Sequence, residues 1–554
     1  MKQAPLISGK ERSQYEAFGK KYMIASQGGA TTMAARSAFD LGGNIFDAAV
    51  AASFAISVER PHSTGLGGGG FMLIRHASSN KNMALDFREM APRRAPKNMF
   101  LENGKQVKER SLTGPLASGT PGLVAGVLEA HEKYGQLPLE AVMKPAIDLA
   151  EKGFLVYSAL AEALKEEADR LCQFEASKKI FLKKNCKPLR AGDLLVQKDL
   201  AKTLKLIAKK GRDGFYAGHV ANQIAKNQKE LGGLITKKDL ANYKVKNRKP
   251  VEGSYKGYKI VSMPPPSSGG THIIQILNIL EGYDLKSMGA QSAQAVHLTS
   301  SAMQIAFADR AEHMGDADFV NVPVEKLLSK KYAQGLRKLI PMDKAMDSSK
   351  FPIPLHKVPE PEHTTHFTIM DGEGNIVTST QTINGWFGSA VTVPETGIVM
   401  NNEMDDFASH VGGVNLFGAI GGKNNLIHPR KRPLSSMSPT IVYDKEGKPL
   451  LALGTPSGTR ILTCVMQTVL NVLEHEMPLW QAVAATRYHH QWRPEEIRVG
   501  PPFLPLKTEK KLKAMGHKIN PKSLGCKVQA IKVEKDNLLH GVSDPREEGM
   551  SHGK

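Results

Sequence analysis

Along the 554-residue chain the spacing of apolar and polar positions changes several times, and each change marks a predicted element. Residues 22–60 read as a strand followed by two helices. The first helix, ATTMAARSAFDLGG, is Ala-rich and stops at Gly42-Gly43, because glycine accepts the backbone angles that end a helix. Asn44 stands where an N-cap belongs, just before IFDAAVAASFAISVE. The glycine run STGLGGGG then leads into FMLIRH, with NMALDFRE at hairpin distance, so two strands follow the helices.

Residues 120–245 are predicted to be mainly helical, with PGLVAGVLEAHEKYG and SALAEALKEEADRL clearly amphipathic. Strand character returns in VEGSYKGYKIVSMPPPSSGG. THIIQILNILEG, apolar almost all round, reads as a buried helix ended by Gly282. Residues 351–363, FPIPLHKVPEPEH, are too rich in proline for regular helix or central strand and read as an exposed extended linker. The pattern changes sharply at Thr364. TTHFTIMDGEGNIVTSTQTI alternates β-branched residues about a DGEGN turn and predicts a hairpin. SPTIVYDKEGKPLLALG and CKVQAIKVEKDNLLHGV repeat the theme, and TCVMQTVLNVLEH reads as a helix. Sheets with segregated helices make the expected class α+β, a layered sandwich.

Composition is that of a globular protein, and no apolar run is long enough for a membrane span. The net charge of +20 lies mostly before residue 364, in Lys-rich stretches with few aromatics. That favours a solvated basic lobe over a nucleic-acid surface. Cys172, Cys186, Cys464 and Cys526 lack metal-ligand spacing. Cys172 and Cys186 could close a small loop in an oxidising compartment, but the reading adopted is four free thiols behaving as small hydrophobes. The N-terminal MKQAPLISGKERSQYEAFGKK has no apolar signal core, so cytoplasmic residence stays open. Gly65–Gly70 formally matches a dinucleotide fingerprint, but the helix precedes the glycines and a strand follows. They are read as close backbone packing or a ligand-facing loop. His475-Glu476 lacks the second zincin histidine, and His489-His490 are read as structural.

The candidate chemistry centres on Thr364. A threonine at the start of a strand is ordinary, but this one ends an exposed Pro-rich linker. Cleavage between His363 and Thr364 would free an α-amine whose ordinary pKa is about 7.7–8.0. One residue would then supply both nucleophile and base.

At these residues the sequence resembles the γ-glutamyltransferase (γ-glutamyltranspeptidase, glutathione hydrolase) family. The resemblance runs through GGNIFDAAVAASFAISVERPHSTGLGGGGFML, ALDFREMAP, MPPPSSGG, TTHFTIMDGEGNIV, NNEMDDF, KRPLSSMSPTIV, RYHHQW and GVSDPR, in family order over nearly the whole chain. It implies an N-terminal-nucleophile hydrolase with a four-layer αββα sandwich. A precursor would split into a large subunit, 1–363 (with its mainly helical basic lobe at about 120–245), and a small subunit, 364–554, that stay together as a heterodimer. By position, Thr364 resembles the nucleophile and Thr382 its supporting hydroxyl. Asn384, Glu403 and Asp406 resemble the ligands of a substrate α-ammonium group. Arg88, Ser435 and Ser436 resemble the α-carboxylate clamp, and backbone N–H groups near Ser457 and Gly458 the oxyanion hole. The implied reaction cleaves the γ-glutamyl amide of glutathione and related compounds and passes the acyl group to water, an amino acid or a peptide. It requires no metal or organic cofactor, and the family works mostly in the periplasm or outside the cell.

Two positions depart from the family pattern. Ser457 replaces a glycine, which would be strained if its φ were positive. Phe417 stands where several bacterial relatives have a gating Tyr, which suggests a more open pocket or a different substrate. The rival readings are an acylase for glutaryl or poly-γ-glutamyl amides, and a basic binding protein without catalysis.

Overall fold

The computed structural model describes residues 9–347 and 364–554. The linker expected at 351–363, and with it His363, lies outside the described residues. Two seven-stranded sheets dominate. The first runs, edge to edge, through Glu16–Gly19, Leu539–Ser543, Gln529–Val533, Pro449–Gly454, Thr440–Tyr443, Tyr258–Ser262 and Val251–Tyr255. The second runs through Met550–Gly553, Tyr22–Ser26, Thr365–Asp371, Ile376–Thr382, Gly69–His76, Lys81–Asp86 and Lys246–Arg248. All pairings within both sheets are antiparallel. Strands from either side of residue 364 interleave in each sheet.

The sheets stack face to face, and helices cover both outer faces. Gly269–Leu280, Ala293–His313 and Arg460–Leu473 share one apolar core with the first sheet. Gly29–Asp40, Ile45–Glu59, Leu123–Tyr134, Leu139–Lys152 and Lys198–Lys210 share another with the second. This is the four-layer αββα sandwich of the expected α+β class. Two-sided burial explains the sequence pattern. Ile376–Thr382 is buried at every position and so shows no exposed polar alternation.

Local signals hold where the sequence placed them. Asn44 Oδ1 accepts from Phe46 N (2.8 Å) and Asp47 N (3.1 Å), and Asn44 N donates to Asp47 Oδ2 (2.9 Å), a reciprocal cap on Ile45–Glu59. The glycine run serves close packing. A Cβ at Gly68 would strike the Thr382 carbonyl, and one at Gly67 the Val399 carbonyl.

The free-thiol reading is corrected. Cys172–Cys186 and Cys464–Cys526 are disulfides, with Cα atoms 5.7 and 6.5 Å apart, and no described cysteine is free. The fold brings Cys526 back against the helix carrying Cys464, a long-range approach that residue spacing alone cannot reveal.

Candidate active site

Thr364 immediately precedes the strand Thr365–Asp371, and Thr382 closes its neighbour Ile376–Thr382. The register pairs Thr365 with Gln381, which sets 364 opposite 382. Their hydroxyl oxygens lie 3.0 Å apart. Asn384 N donates to Thr382 Oγ1 at 2.8 Å. The Asn384 N–H fixes the Thr382 oxygen in place, and either hydroxyl can donate across the contact to Thr364. Thr364 has a backbone φ of +93°, a conformation that costs a β-branched residue about 1–3 kcal/mol.

A small cavity extends from Thr364. Its walls bring together every resemblance-based substrate residue: Arg88, Asn384, Glu403, Asp406, Ser435 and Ser436. Arg88 follows the strand Lys81–Asp86 and is only 1% exposed. Its guanidinium pairs with Glu403 and Asp406 and donates from Nε to the Pro433 carbonyl at 3.2 Å. Cation and acceptors therefore hold one another in place. Asn384 Nδ2 donates to the Asn402 carbonyl (3.0 Å), which leaves its amide oxygen as the acceptor end.

Glu89 lies 3.8 Å from Arg88 and is fully buried. Neither of its carboxylate oxygens has a donor, and Glu403 Oε2 also lacks one. Burial pushes the Glu89 carboxyl up to about 7 and Glu403 well above its ordinary range, against the pull of Arg88. A proton held between the two carboxyls joins them and leaves one Glu89 oxygen without a donor.

Ser435-Ser436 lies in extended chain bridged to Ser267 and braced from the MPPPSSGG segment. Ser268 Oγ donates to the Ser435 carbonyl (2.8 Å), and Arg310 Nε donates to Ser268 Oγ (3.1 Å). Arg310, on Ala293–His313, also lines the cavity. Burial lowers it to about 10, so it remains a cation at neutral pH. The segment 408–422 closes one side, anchored by acidic side chains. Asn415 Nδ2 donates to Asp406 Oδ1 (2.7 Å) and Leu416 N to Asp405 Oδ2 (2.6 Å). Phe417 does not open the pocket. It is 4% exposed, and its ring packs directly over Gly458. Loss of a hydroxyl leaves an apolar ring that fits the closed wall.

In the turn that leads into Arg460–Leu473, Ser457 and Gly458 have φ of +108° and +55°. The strain expected for a serine there is therefore present. Among the described residues, neither backbone N–H has a hydrogen-bond acceptor. On the other side of Thr364 lies an open groove, with Glu109, Glu162 and Glu167 on one wall and Lys522 on another. The proposed structural histidines are hydrogen-bonded inside the protein: His489 to Thr463 and Gln491, His490 to Trp492 N.

Arg310, Ser268, Asn415 and Glu89 were not legible as site residues. Arg310 lines the cavity and Ser268 braces its wall from elements far away in the chain, and Asn415 comes in with the segment that covers it. Glu89 neighbours Arg88, and an acidic residue directly beside a candidate anion-binding arginine was the available signal.

The gamma-glutamyltranspeptidase family model matches residues 31–553. A glutathione hydrolase proenzyme of Escherichia coli (strain K12) is 47% identical over 529 residues, covering 95% of this chain and 90% of its own length. A γ-glutamyltranspeptidase structure from Helicobacter pylori is 49% identical over 58% of this chain and 93% of its own, with a TM-score of 0.57. A cephalosporin acylase structure from Bacillus halodurans, 26% identical, covers 100% of this chain and 99% of its own with a TM-score of 0.87. Motifs, sandwich and full-length similarity agree: the chain belongs to the gamma-glutamyltranspeptidase family.

Proposed function

We propose that the protein is a self-processing γ-glutamyl hydrolase and transferase acting on glutathione and related γ-glutamyl amides. The observation that carries this reading is the make-up of one small cavity beside Thr364. A hydroxyl-supported Thr364 lines it together with a buried guanidinium, two acidic side chains and a pair of serines. Such a lining suits the free amino-acid head of a γ-glutamyl group. Its α-carboxylate takes Arg88, Ser435 and Ser436, and its α-ammonium takes Asn384, Glu403 and Asp406.

Self-cleavage before Thr364 is supported by its backbone. The φ torsion includes the carbonyl carbon of residue 363, so breaking that bond abolishes the strained torsion and releases its cost. It also leaves an amine beside the Thr364 hydroxyl. In the reaction that amine takes the hydroxyl proton while Oγ1 bonds to the γ-carbonyl carbon. Thr382 donates to Oγ1, and the Ser457 and Gly458 N–H groups receive the oxyanion, each such donor being worth about a hundredfold to a thousandfold in rate. Collapse expels the amine leaving group, which takes the proton back, and leaves a γ-glutamyl-threonine ester. Water or an acceptor amine entering by the open groove then attacks the ester carbonyl, and Thr364 recovers its proton. The 1–363 and 364–554 fragments remain together as a heterodimer. Two disulfides favour an oxidising location, the periplasm or cell exterior.

The test is an intact-mass measurement with Thr364→Ala beside the wild type, followed by a γ-glutamyl anilide assay with and without glycylglycine. The wild type is expected as two fragments meeting at Thr364 and the variant as one inactive chain. An unprocessed, fully active wild type defeats the proposal. The similarity to a cephalosporin acylase favours a second reading, cleavage of glutaryl amides. A glutaryl group lacks the ammonium that Glu403 and Asp406 would bind, so a glutaryl anilide is expected to be the poorer substrate.

A further inference from the structure

Ser457 carries a side chain in a left-handed conformation that favours glycine, and its hydroxyl is fully engaged. It donates to the Leu524 carbonyl at 2.6 Å and accepts from Arg460 Nε (3.1 Å) and Nη2 (2.9 Å). The segment that supplies Leu524 is tied to the same turn twice more. Lys527 N donates to Thr455 Oγ1 at 2.8 Å. Cys526 is disulfide-bonded to Cys464, one turn into the helix Arg460–Leu473 that the turn launches. Cys464, Cys526 and Leu524 form a small buried cluster apart from the main cores. None of these contacts faces the cavity.

We propose that the Ser457 hydroxyl and the Cys464–Cys526 disulfide form one clamp that holds the 457–458 turn with its N–H groups aimed at the reacting carbonyl. The proposal rests on the oxyanion role given to that turn above. Ser457 and Cys526 are positioning residues, since neither touches substrate. The physical reason is preorganisation. Oxyanion donors are effective because they are fixed before charge develops. Two glycines would leave that turn the widest backbone freedom. A serine costs strain but provides an anchor, and the anchor holds only if the Leu524 carbonyl is itself fixed. The disulfide fixes it by stapling segment 523–527 to the helix that carries Arg460. The clamp lies on elements other than those holding Arg88, Glu403, Asp406 and Ser435, so it acts on kcat and leaves substrate affinity alone.

The experiment compares Ser457→Ala, Cys526→Val and the double variant as processed enzymes, with kcat and KM for a γ-glutamyl anilide and a melting temperature for each. Ser457→Ala is expected to lower kcat about tenfold, a fraction of what losing an oxyanion donor costs. Cys526→Val is expected to lower it about threefold to fivefold by loosening the same donors. KM should stay within about twofold in both, and the double variant should be no slower than Ser457→Ala, because both changes release one device. An unchanged kcat in Ser457→Ala overturns the proposal. So does a double variant whose loss is the product of the single losses, since the disulfide would then act as an independent staple. Ser457→Ala keeps the disulfide, so it tests the clamp even if Cys526→Val does not fold. A wild type inactive on the anilide defeats the proposed function instead, whereas an active wild type with an indifferent Ser457→Ala defeats only the clamp.

Discussion

Replacing Thr382 by Val removes one hydroxyl and keeps the shape, at a residue 2% exposed. Two hydrogen bonds go with it: the 3.0 Å contact to Thr364 Oγ1 and the 2.8 Å bond accepted from Asn384 N. The second loss leaves a buried N–H unpaired, worth about 1–3 kcal/mol of stability. The first removes the donor facing the oxygen from which a proton must leave. A hydrogen bond to an oxygen gaining negative charge is worth about 1.5–3 kcal/mol, or roughly 10- to 150-fold in kcat. Thr382 makes no bond to Arg88, Glu403 or Asp406 but does hold Asn384, so KM should rise only about twofold to fivefold while kcat falls further. Steady-state kinetics on a γ-glutamyl anilide, with fragment analysis to confirm processing and a thermal melt for stability, separates these effects. Thr382→Ser keeps the hydroxyl and should retain most of the activity. The reasoning is refuted if Thr382→Val turns over at the wild-type rate, or if Ser and Val at this position are equally impaired.

Asp406→Asn keeps the shape but removes a charge proposed to meet the substrate ammonium; KM should rise about 10- to 100-fold with a smaller change in kcat, as measured on the anilide. Glu89→Gln tests the shared proton. Burial raises the folded-state pKa to about 7, above an unfolded value of about 4.3, so the native protein binds the extra proton and loses stability as pH rises through that window. The variant should therefore gain melting temperature over wild type at pH 8, with a gain that shrinks towards pH 5. His517, hydrogen-bonded to His297 at 2.8 Å, is pushed down to about 4 by burial and then by His297. Here the unfolded chain binds the extra proton, so stability falls as pH drops from about 6.5 towards that value. Between pH 7 and 4.5, His517→Gln should lose less melting temperature than wild type; an equal loss would show that His517 stays out of acid unfolding.

Much of this architecture was legible because its signals are local. The cap at Asn44, the turn at Asp371–Asn375 and the stop at Gly282 each depend on a few neighbouring residues, and all fall where the sequence places them. The pairing of Thr364 with Thr382 follows from the same hairpin. What lay beyond reading was produced by approach across the fold. Arg310 reaches the cavity from a helix whose sequence shows only burial, and Ser268 braces Ser435 from a stretch that reads as a chain turn. The Cys464–Cys526 bond spans 62 residues with no intervening pattern. Strain at Ser457 was foreseeable from its type. Its compensation by Leu524 and Arg460 was not, because neither partner is fixed by the local sequence.

The interleaving of strands across residue 364 has a consequence for how such a protein is made. Thr365–Asp371 pairs with Tyr22–Ser26 on one side, while Ile376–Thr382 pairs with Gly69–His76 on the other. Neither stretch of chain can complete a sheet alone, so each would present unpaired strand edges in isolation. Under the proposed processing, scission before Thr364 would therefore come last in time, after synthesis and folding of one continuous polypeptide. The finished heterodimer would be a product with a history: two fragments that hold together without the peptide bond, yet depended on it to find each other. Mixing separately produced halves is the wrong route to active material, and recovery after full denaturation should be far poorer for the cut protein than for an uncut Thr364→Ala chain.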